Sequence, residues 1–218
     1  MEDKSKVTLF KTAPEATRGR RGTRERLLDA GLKLFAQKGF AGTAISDLEV
    51  EAGLKPGTGS FYRHFSSKEE VLHEVIAREI ERNHAIGDMY AAVTAGALGN
   101  ARAELVLEFR LALMHLEQMR DFIQILIREE DLLREDAQHV HEVMIEAAHR
   151  REARKLEERI RAGQVIDLDP GALWGVISSA LVGYVLAKRY FRVSNIAGMD
   201  DDKLVNTLAD LLIRPRRE

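Results

Sequence analysis

Within KPGTGSFYRHFSSK, residues 55 to 68, two kinds of chemistry alternate: small hydroxyl and glycine positions at Thr58, Gly59 and Ser60, and larger polar groups at Tyr62, Arg63, His64 and Lys68. Hydroxyls can hydrogen-bond base edges or touch a thymine methyl, while Arg, Lys, His and Tyr can meet phosphate oxygens. The mixture suits a duplex groove. A second chemistry is also open. Glu81 with His84, and Glu146 with His149, have the Glu-x-x-His spacing of di-iron bundles, and Glu104 and Glu108 stand one turn apart on another stretch. Glu70 and His73 repeat that spacing, as Glu-rich helices do without any metal. His141-Glu142 lacks a second histidine four residues on, and Gly57 to Gly59 lacks the spacing and lysine of a nucleotide-binding loop. No cofactor and no metal is expected. A metal-dependent bundle enzyme stays as the alternative to a DNA-reading regulator.

The elements that must position the first set are short helices. Leu27, Leu28, Gly31, Leu34 and Phe35 form one apolar stripe, stopped by Gly39. Thr43 suits the N-cap of a second helix whose inward residues are Ile45, Leu48 and Ala52, ended by Gly53. Pro56 can open a third helix at its first position, with Phe61 and Phe65 turned inward. Ser67 and Glu70 read as a capping box for a fourth, whose buried stripe is Val71, Leu72, Val75, Ile76 and Ile80. Helix, glycine-broken turn and helix make a helix-turn-helix. Its second helix, about 10 Å across, fits a major groove. The expected base-reading residues are Lys55, Thr58, Gly59 and Ser60, with Tyr62, Arg63, His64 and Lys68 meeting the backbone. Arg24 and Thr43 complete the expected DNA contacts.

Composition frames the rest. With 218 residues and 45% hydrophobic content the chain can bury a sizeable core, and four prolines with few aromatics favour an all-α protein. No cysteine is present, which excludes disulfides and thiolate chemistry and suits a cytoplasmic setting; the first 21 residues hold no apolar run of the length an export signal needs. Net charge is −2, yet residues 1 to 70 hold 13 Lys/Arg against 10 Asp/Glu, and residues 71 to 218 hold 20 against 25. A basic head on an acidic body follows.

The body reads as a helical bundle. Gly87 to Asn100 is weakly patterned and reads as a connection; helical stripes follow at Leu105 to Leu116, Phe122 to Ile127 and Val140 to Ala147. His149 to Arg161 is charged enough to keep one face in solvent. The uncharged run 170–187 falls short of a membrane span of about 20 residues and reads as a buried soluble helix. Its small residues Gly171, Gly175, Ser179, Gly183 and Ala187 recur every four positions. Two consecutive apolar helices, about 171–192 and 201–213, exceed what a bundle of this size needs to bury. A dimer seam is therefore expected at Gly175, Ser179, Val182, Gly183, Leu186, Leu204, Leu208 and Leu211. An apolar cavity is expected among Phe109, Leu113, Phe122, Met144, Trp174, Ile177 and Tyr184, with His115 as a polar anchor.

Leu34, Phe35, Gly39, Phe40 and Thr43, then Ile45, Ala52 and Gly53, then Phe61, Tyr62, Arg63, His64, Phe65, Ser67, Lys68 and Leu72 match in order and spacing a known head motif. On these residues the chain resembles the tetracycline-repressor (TetR) family of transcriptional regulators. The resemblance covers roughly residues 22 to 76. It implies a mobile arm at 1–20, a DNA-binding domain at 21–66, and a regulatory and dimerisation domain at 67–218. It further implies a homodimer through the last two helices, an inverted-repeat duplex as partner, and a small-molecule effector, unknown here, that releases DNA by moving the fourth helix. The turn at residues 55–60 is about two residues longer than the commoner family form. Which of Lys55, Thr58 and Ser60 face bases stays open.

Overall fold

The computed structural model describes residues 22–94, 99–133 and 140–213. The arm expected over residues 1–20 lies outside them. The regular elements among the described residues are helices, as the apolar periodicity requires, and the chain divides into two compact units between Val75 and Ile76.

In the first unit α1 (Thr23–Lys38) and α2 (Ile45–Glu51) pack together, and the first two turns of α3 (Lys68–Thr94) close the core. Leu27, Leu28, Leu34, Phe35, Leu48, Ala52, Phe61, Phe65, Val71, Leu72 and Val75 are all buried. Gly31 sits where α1 meets α3: a Cβ there would lie 2.9 Å from a Val71 methyl and 3.2 Å from one of Val75. This contact carries the unit beyond residue 66, the boundary expected from sequence, to Val75. Gly39, at φ +79°, ends α1 as expected.

Three local expectations change. Thr43 is not the cap of α2. Ala44 holds that position, with the Asp47 carboxylate accepting its N–H at 3.3 Å, while the buried Thr43 hydroxyl donates to the Gly39 carbonyl at 2.8 Å. The capping box of α3 is shifted by one residue on one side. The Glu70 N–H donates to Ser67 Oγ (3.1 Å), but the Glu70 carboxylate takes the N–H (2.6 Å) and hydroxyl (2.7 Å) of Ser66. The third helix does not form as an α-helix. Gly57 and Gly59 adopt φ of +74° and +71°, outside helical space, and only a 3-10 turn, Phe61–Arg63, follows.

The second unit holds the rest of α3 with α4 (Ala101–Gln118), α5 (Arg120–Arg128), a π-helical turn at His141–Glu146 running into α6 (Ala147–Arg161), α7 (Pro170–Phe191) and α8 (Asp201–Leu212). Gly87, expected to begin a connection, lies inside α3. Helix α6 packs on α7, and α4 packs on both α7 and α8. Asn100, Asp169 and Asp200 cap α4, α7 and α8 by accepting N–H bonds at 3.1, 2.6 and 2.8 Å. The shared core is built on Leu105, Phe109, Leu113, Ile177, Leu181, Val185, Val205 and Leu212.

Helix α7 is long and apolar enough to cross a membrane by length and composition, and it is less buried than its sequence suggests. Ile177, Leu181, Tyr184 and Val185 face the core, while Val176 is 70% exposed and Tyr190 82%. The apolar character on all sides therefore serves two faces, one packed and one open.

Candidate nucleic-acid interface and ligand cavity

Phe61 and Phe65, 0% and 2% exposed with ring centroids 5.9 Å apart, anchor the helical turn from inside. The residues between them then point outward: Tyr62 is 64% exposed, and Arg63 and His64 are exposed with no side-chain hydrogen bond among the described residues. Lys55, Thr58 and Gly59 are exposed as well, with Ser60 half-buried. Thr58 Oγ1 donates to the Lys55 carbonyl at 2.9 Å and lies 2.9 Å from Ser60 Oγ, so the two hydroxyls are presented as one pair. Lys55, Thr58, Gly59, Ser60, Tyr62, Arg63 and His64 thus all reach the surface within ten residues of one another.

Three other residues of the expected set serve the fold. The Thr43 side chain is 1% exposed and engaged with backbone. Lys68 sends its ammonium over the Phe40 ring, 4.1 Å from the centroid, and donates to the carbonyls of Phe40 (2.7 Å) and Thr43 (2.8 Å). Arg24 pairs with Glu74 and lies over Phe65. A sequence offers Lys68 and Arg24 as cations; the structure spends both on closing α3 against the preceding elements.

One residue was missed. Glu49 of α2 is 4% exposed, and its two carboxylate oxygens accept the N–H groups of Gly57 (3.0 Å) and Phe61 (3.3 Å). Its backbone carbonyl also accepts the Leu54 N–H at 2.8 Å. The available signal was a carboxylate beside the inward-facing Leu48, one turn before a loop with two glycines.

In the second unit a cavity of about 560 Å³ opens among α3, α4, α5, the π turn, α6 and α7, a size suited to a drug-like molecule. Phe109, His115, Phe122, Met144 and Trp174 line it as expected. Leu113, Ile177 and Tyr184 do not: they are 3–5% exposed and belong to the packed core, and the Tyr184 hydroxyl donates to Asp201 at 2.9 Å. Periodicity names the apolar residues of a helix but not which of two buried faces meets empty space. Additional wall residues are Leu116, Met119, Ile123, Leu126, Val140 and Val182.

The polar pole of the cavity centres on His115. Its Nε2 pairs with Asn83 Oδ1, its Nδ1 has no hydrogen-bond partner among the described residues, and Tyr90 meets the ring edge-on at 5.9 Å. Burial, reinforced by the nearby Arg151 charge, pushes the imidazole pKa below its ordinary value of 6.5. Arg151 lies against α3 at Gly87, where a Cβ would fall 2.9 Å from its guanidinium. Of the carboxylates considered for a metal, Glu104 and Glu108 are engaged by Arg159 and Glu146 by Arg150. Glu108 is held by both guanidinium nitrogens of Arg159 at 2.7 and 2.9 Å, with Glu104 3.5 Å away. Among the described residues no three His, Asp or Glu side chains gather as a metal site.

The expected dimer seam divides. Leu204 (6% exposed) and Leu208 (9%) point into the chain's own core. Ser179 and Gly183 are exposed, Gly175, Val182 and Leu186 half-buried, and Leu211 is 66% exposed. Val176, Tyr190 and Phe191 extend the open face.

Comparison with known proteins places these features. The family model of bacterial regulatory proteins of the tetR family matches residues 27–75. The uncharacterized HTH-type transcriptional regulator TtgW of Pseudomonas putida is 30% identical over 141 residues, 64% of this chain and 93% of that protein. The HTH-type transcriptional repressor KstR2 of Rhodococcus jostii is 40% identical over 67 residues, 30% of this chain and about a third (32%) of the relative's length. The solved TetR-family transcriptional regulator PfmR from Thermus thermophilus shares the fold with a TM-score of 0.63 at 21% identity, over 88% of this chain and 100% of that one. The choline complex of a Saccharomonospora viridis protein shares it with a TM-score of 0.68 at 20% identity, over 88% and 97%.

Proposed function

Because the chain belongs to the tetR family of bacterial regulatory proteins, DNA-binding helix-turn-helix transcriptional regulators and not enzymes, we propose that it is a cytoplasmic repressor which grips an inverted-repeat operator as a homodimer and leaves it when a small molecule fills the cavity. The observation that carries this reading is the turn at Phe61–Phe65. Two buried rings fix it to the core while Tyr62, Arg63 and His64 between them stay exposed, Tyr62 edge-on to the Phe61 ring and Arg63 and His64 without a side-chain hydrogen bond among the described residues. Thr58 and Ser60 supply hydroxyls for base edges, and Arg63 with Lys55 supplies charge for phosphates.

Two heads reading successive major grooves must stand about 34–36 Å apart, a spacing that two-fold pairing provides. The open face of α7 and Leu211 of α8 is the proposed seam. Helix α3 contributes Val71, Leu72 and Val75 to the first unit and Asn83, Gly87 and Tyr90 to the cavity wall, so an effector that shifts α3 has a covalent route to the head. The wall favours an uncharged, mainly apolar effector. Among the described residues its carboxylates are taken, Glu108 by Arg159 and Glu152 by Arg151 and Lys155.

Selection from a random duplex library tests the reading. Recovery of an inverted repeat, with half-sites centred one helical turn (about 10 base pairs) or a multiple apart, is the expected result. No preference for any duplex across a wide range of ionic strength would refute it.

A further inference from the structure

The N–H groups at the start of a helix have no carbonyl one turn back and must find a cap. Gly57 and Gly59, at positive φ, keep residues 57–59 out of the helical conformation, so no regular helix start is formed there. From Lys55 to Phe61, among the described residues, the N–H groups of Gly57 and Phe61 are both accepted by the carboxylate of Glu49. One buried side chain thus holds a segment that no helical ladder holds. The loop it holds is the one that carries the paired hydroxyls of Thr58 and Ser60.

We propose that Glu49 is a positioning residue for operator reading: its buried carboxylate, bonded to the N–H groups of Gly57 and Phe61, sets where Thr58 and Ser60 stand against the bases. The inference rests on the DNA-reading function argued above. A carboxylate suits the task because both oxygens accept, so two amides separated by four residues are tied to one point. At 4% exposure the carboxylate is itself withdrawn from water, and its removal leaves both amides without this acceptor. Gln would accept with one oxygen and turn an NH₂ toward the second N–H, keeping one bond and breaking the other. Ala would keep neither. Tyr62 and Arg63 follow the ring anchors Phe61 and Phe65, so backbone contacts survive the change while base contacts lose their register.

The experiment compares wild type, Glu49→Gln and Glu49→Ala in the full chain, measuring affinity for the selected operator and for a random duplex of equal length, with amide exchange followed on the free protein. Losing one bond to a charged acceptor corresponds to about tenfold. Glu49→Ala is expected to lower the operator-to-random affinity ratio by at least about tenfold and Glu49→Gln by less, while the salt slope stays that of the wild type. Exchange should accelerate at Gly57 and Phe61 and remain slow at Leu34 and Phe35. A merely structural role would lower operator and random binding together, by the folded fraction. If Glu49→Ala does not fold, Glu49→Gln decides. A ratio within about twofold of the wild type, in a variant whose core amides stay protected, overturns the assignment. A wild type with no operator preference would sink DNA reading itself, a different failure.

Discussion

Lys68 illustrates how a residue type can mislead about its task. Its ammonium lies over the Phe40 ring and donates to two carbonyls, leaving little to offer a phosphate. Lys68→Met retains the aliphatic stem and deletes the donors. It should destabilise the head by about 1.5–3 kcal/mol, the range for hydrogen bonds to a charged group, read in chemical denaturation. Arg63→Ala should instead reduce the salt slope of operator binding by about 0.9 for each phosphate the guanidinium neutralises and leave stability nearly unchanged; equal slope changes in the two variants would contradict the division of labour. His115 makes a pH prediction. Its folded pKa is depressed by burial and the Arg151 charge, so below the unfolded value of 6.5 the unfolded chain binds more protons than the folded one. Stability from this group is complete above that value and is lost as pH falls through the folded pKa. Melting temperature should therefore decline on acidification from pH 7 more steeply in wild type than in His115→Gln, and parallel curves would remove the assignment.

Arg159 of α6 ties that helix to α4 by gripping Glu108 and approaching Glu104, with all three side chains 11–14% exposed. Removing the cation takes from the largely buried Glu108 carboxylate the guanidinium that holds it. Arg159→Met should cost about 3–5 kcal/mol, measured by denaturant unfolding, and a change below about 1 kcal/mol would mean the pair is solvated. The elements themselves were largely legible: the stripes of α1, α2 and the start of α3, the stop at Gly39 and the acidic start of α8 all follow from spacing and caps. What could not be read has physical causes. Gly57 and Gly59 permit helical φ as readily as positive φ, so the missing third helix depended on Glu49, a tertiary partner. Gly87 lies inside α3 where the Arg151 guanidinium packs against it and a Cβ would fall 2.9 Å away, another long-range fact. Thr43 and Ala44 differ by one residue, and a buried hydroxyl bond to Gly39 decides between them. On the two-faced α7 and on α8, sequence could not separate Leu204 and Leu208, which serve the core, from Leu211, which does not.

At the level of the molecule, the open face of α7 can be altered without touching the packed one. A Cβ built at Gly183 has nothing within 4 Å, so Gly183→Arg adds bulk and charge outside the chain's own core. The variant should keep its helical signal and lose the concentration dependence of its thermal midpoint, sedimenting as a monomer with operator affinity reduced by tenfold or more, on the order of what losing bivalency brings. A dimer of unchanged strength would place the seam elsewhere. Of the eight residues expected around a cavity, Phe109, His115, Phe122, Met144 and Trp174 stand in the wall of the one found, and Leu113, Ile177 and Tyr184 belong to the packed core. One of those five has a practical bearing. The chain contains a single tryptophan, and Trp174 stands in the cavity wall. Indole emission, excited beyond the tyrosine band, therefore arises from one place in each chain, beside the space an inducer would occupy, and the unlabelled protein carries its own optical gauge of occupancy while a dye on the duplex separately reports release.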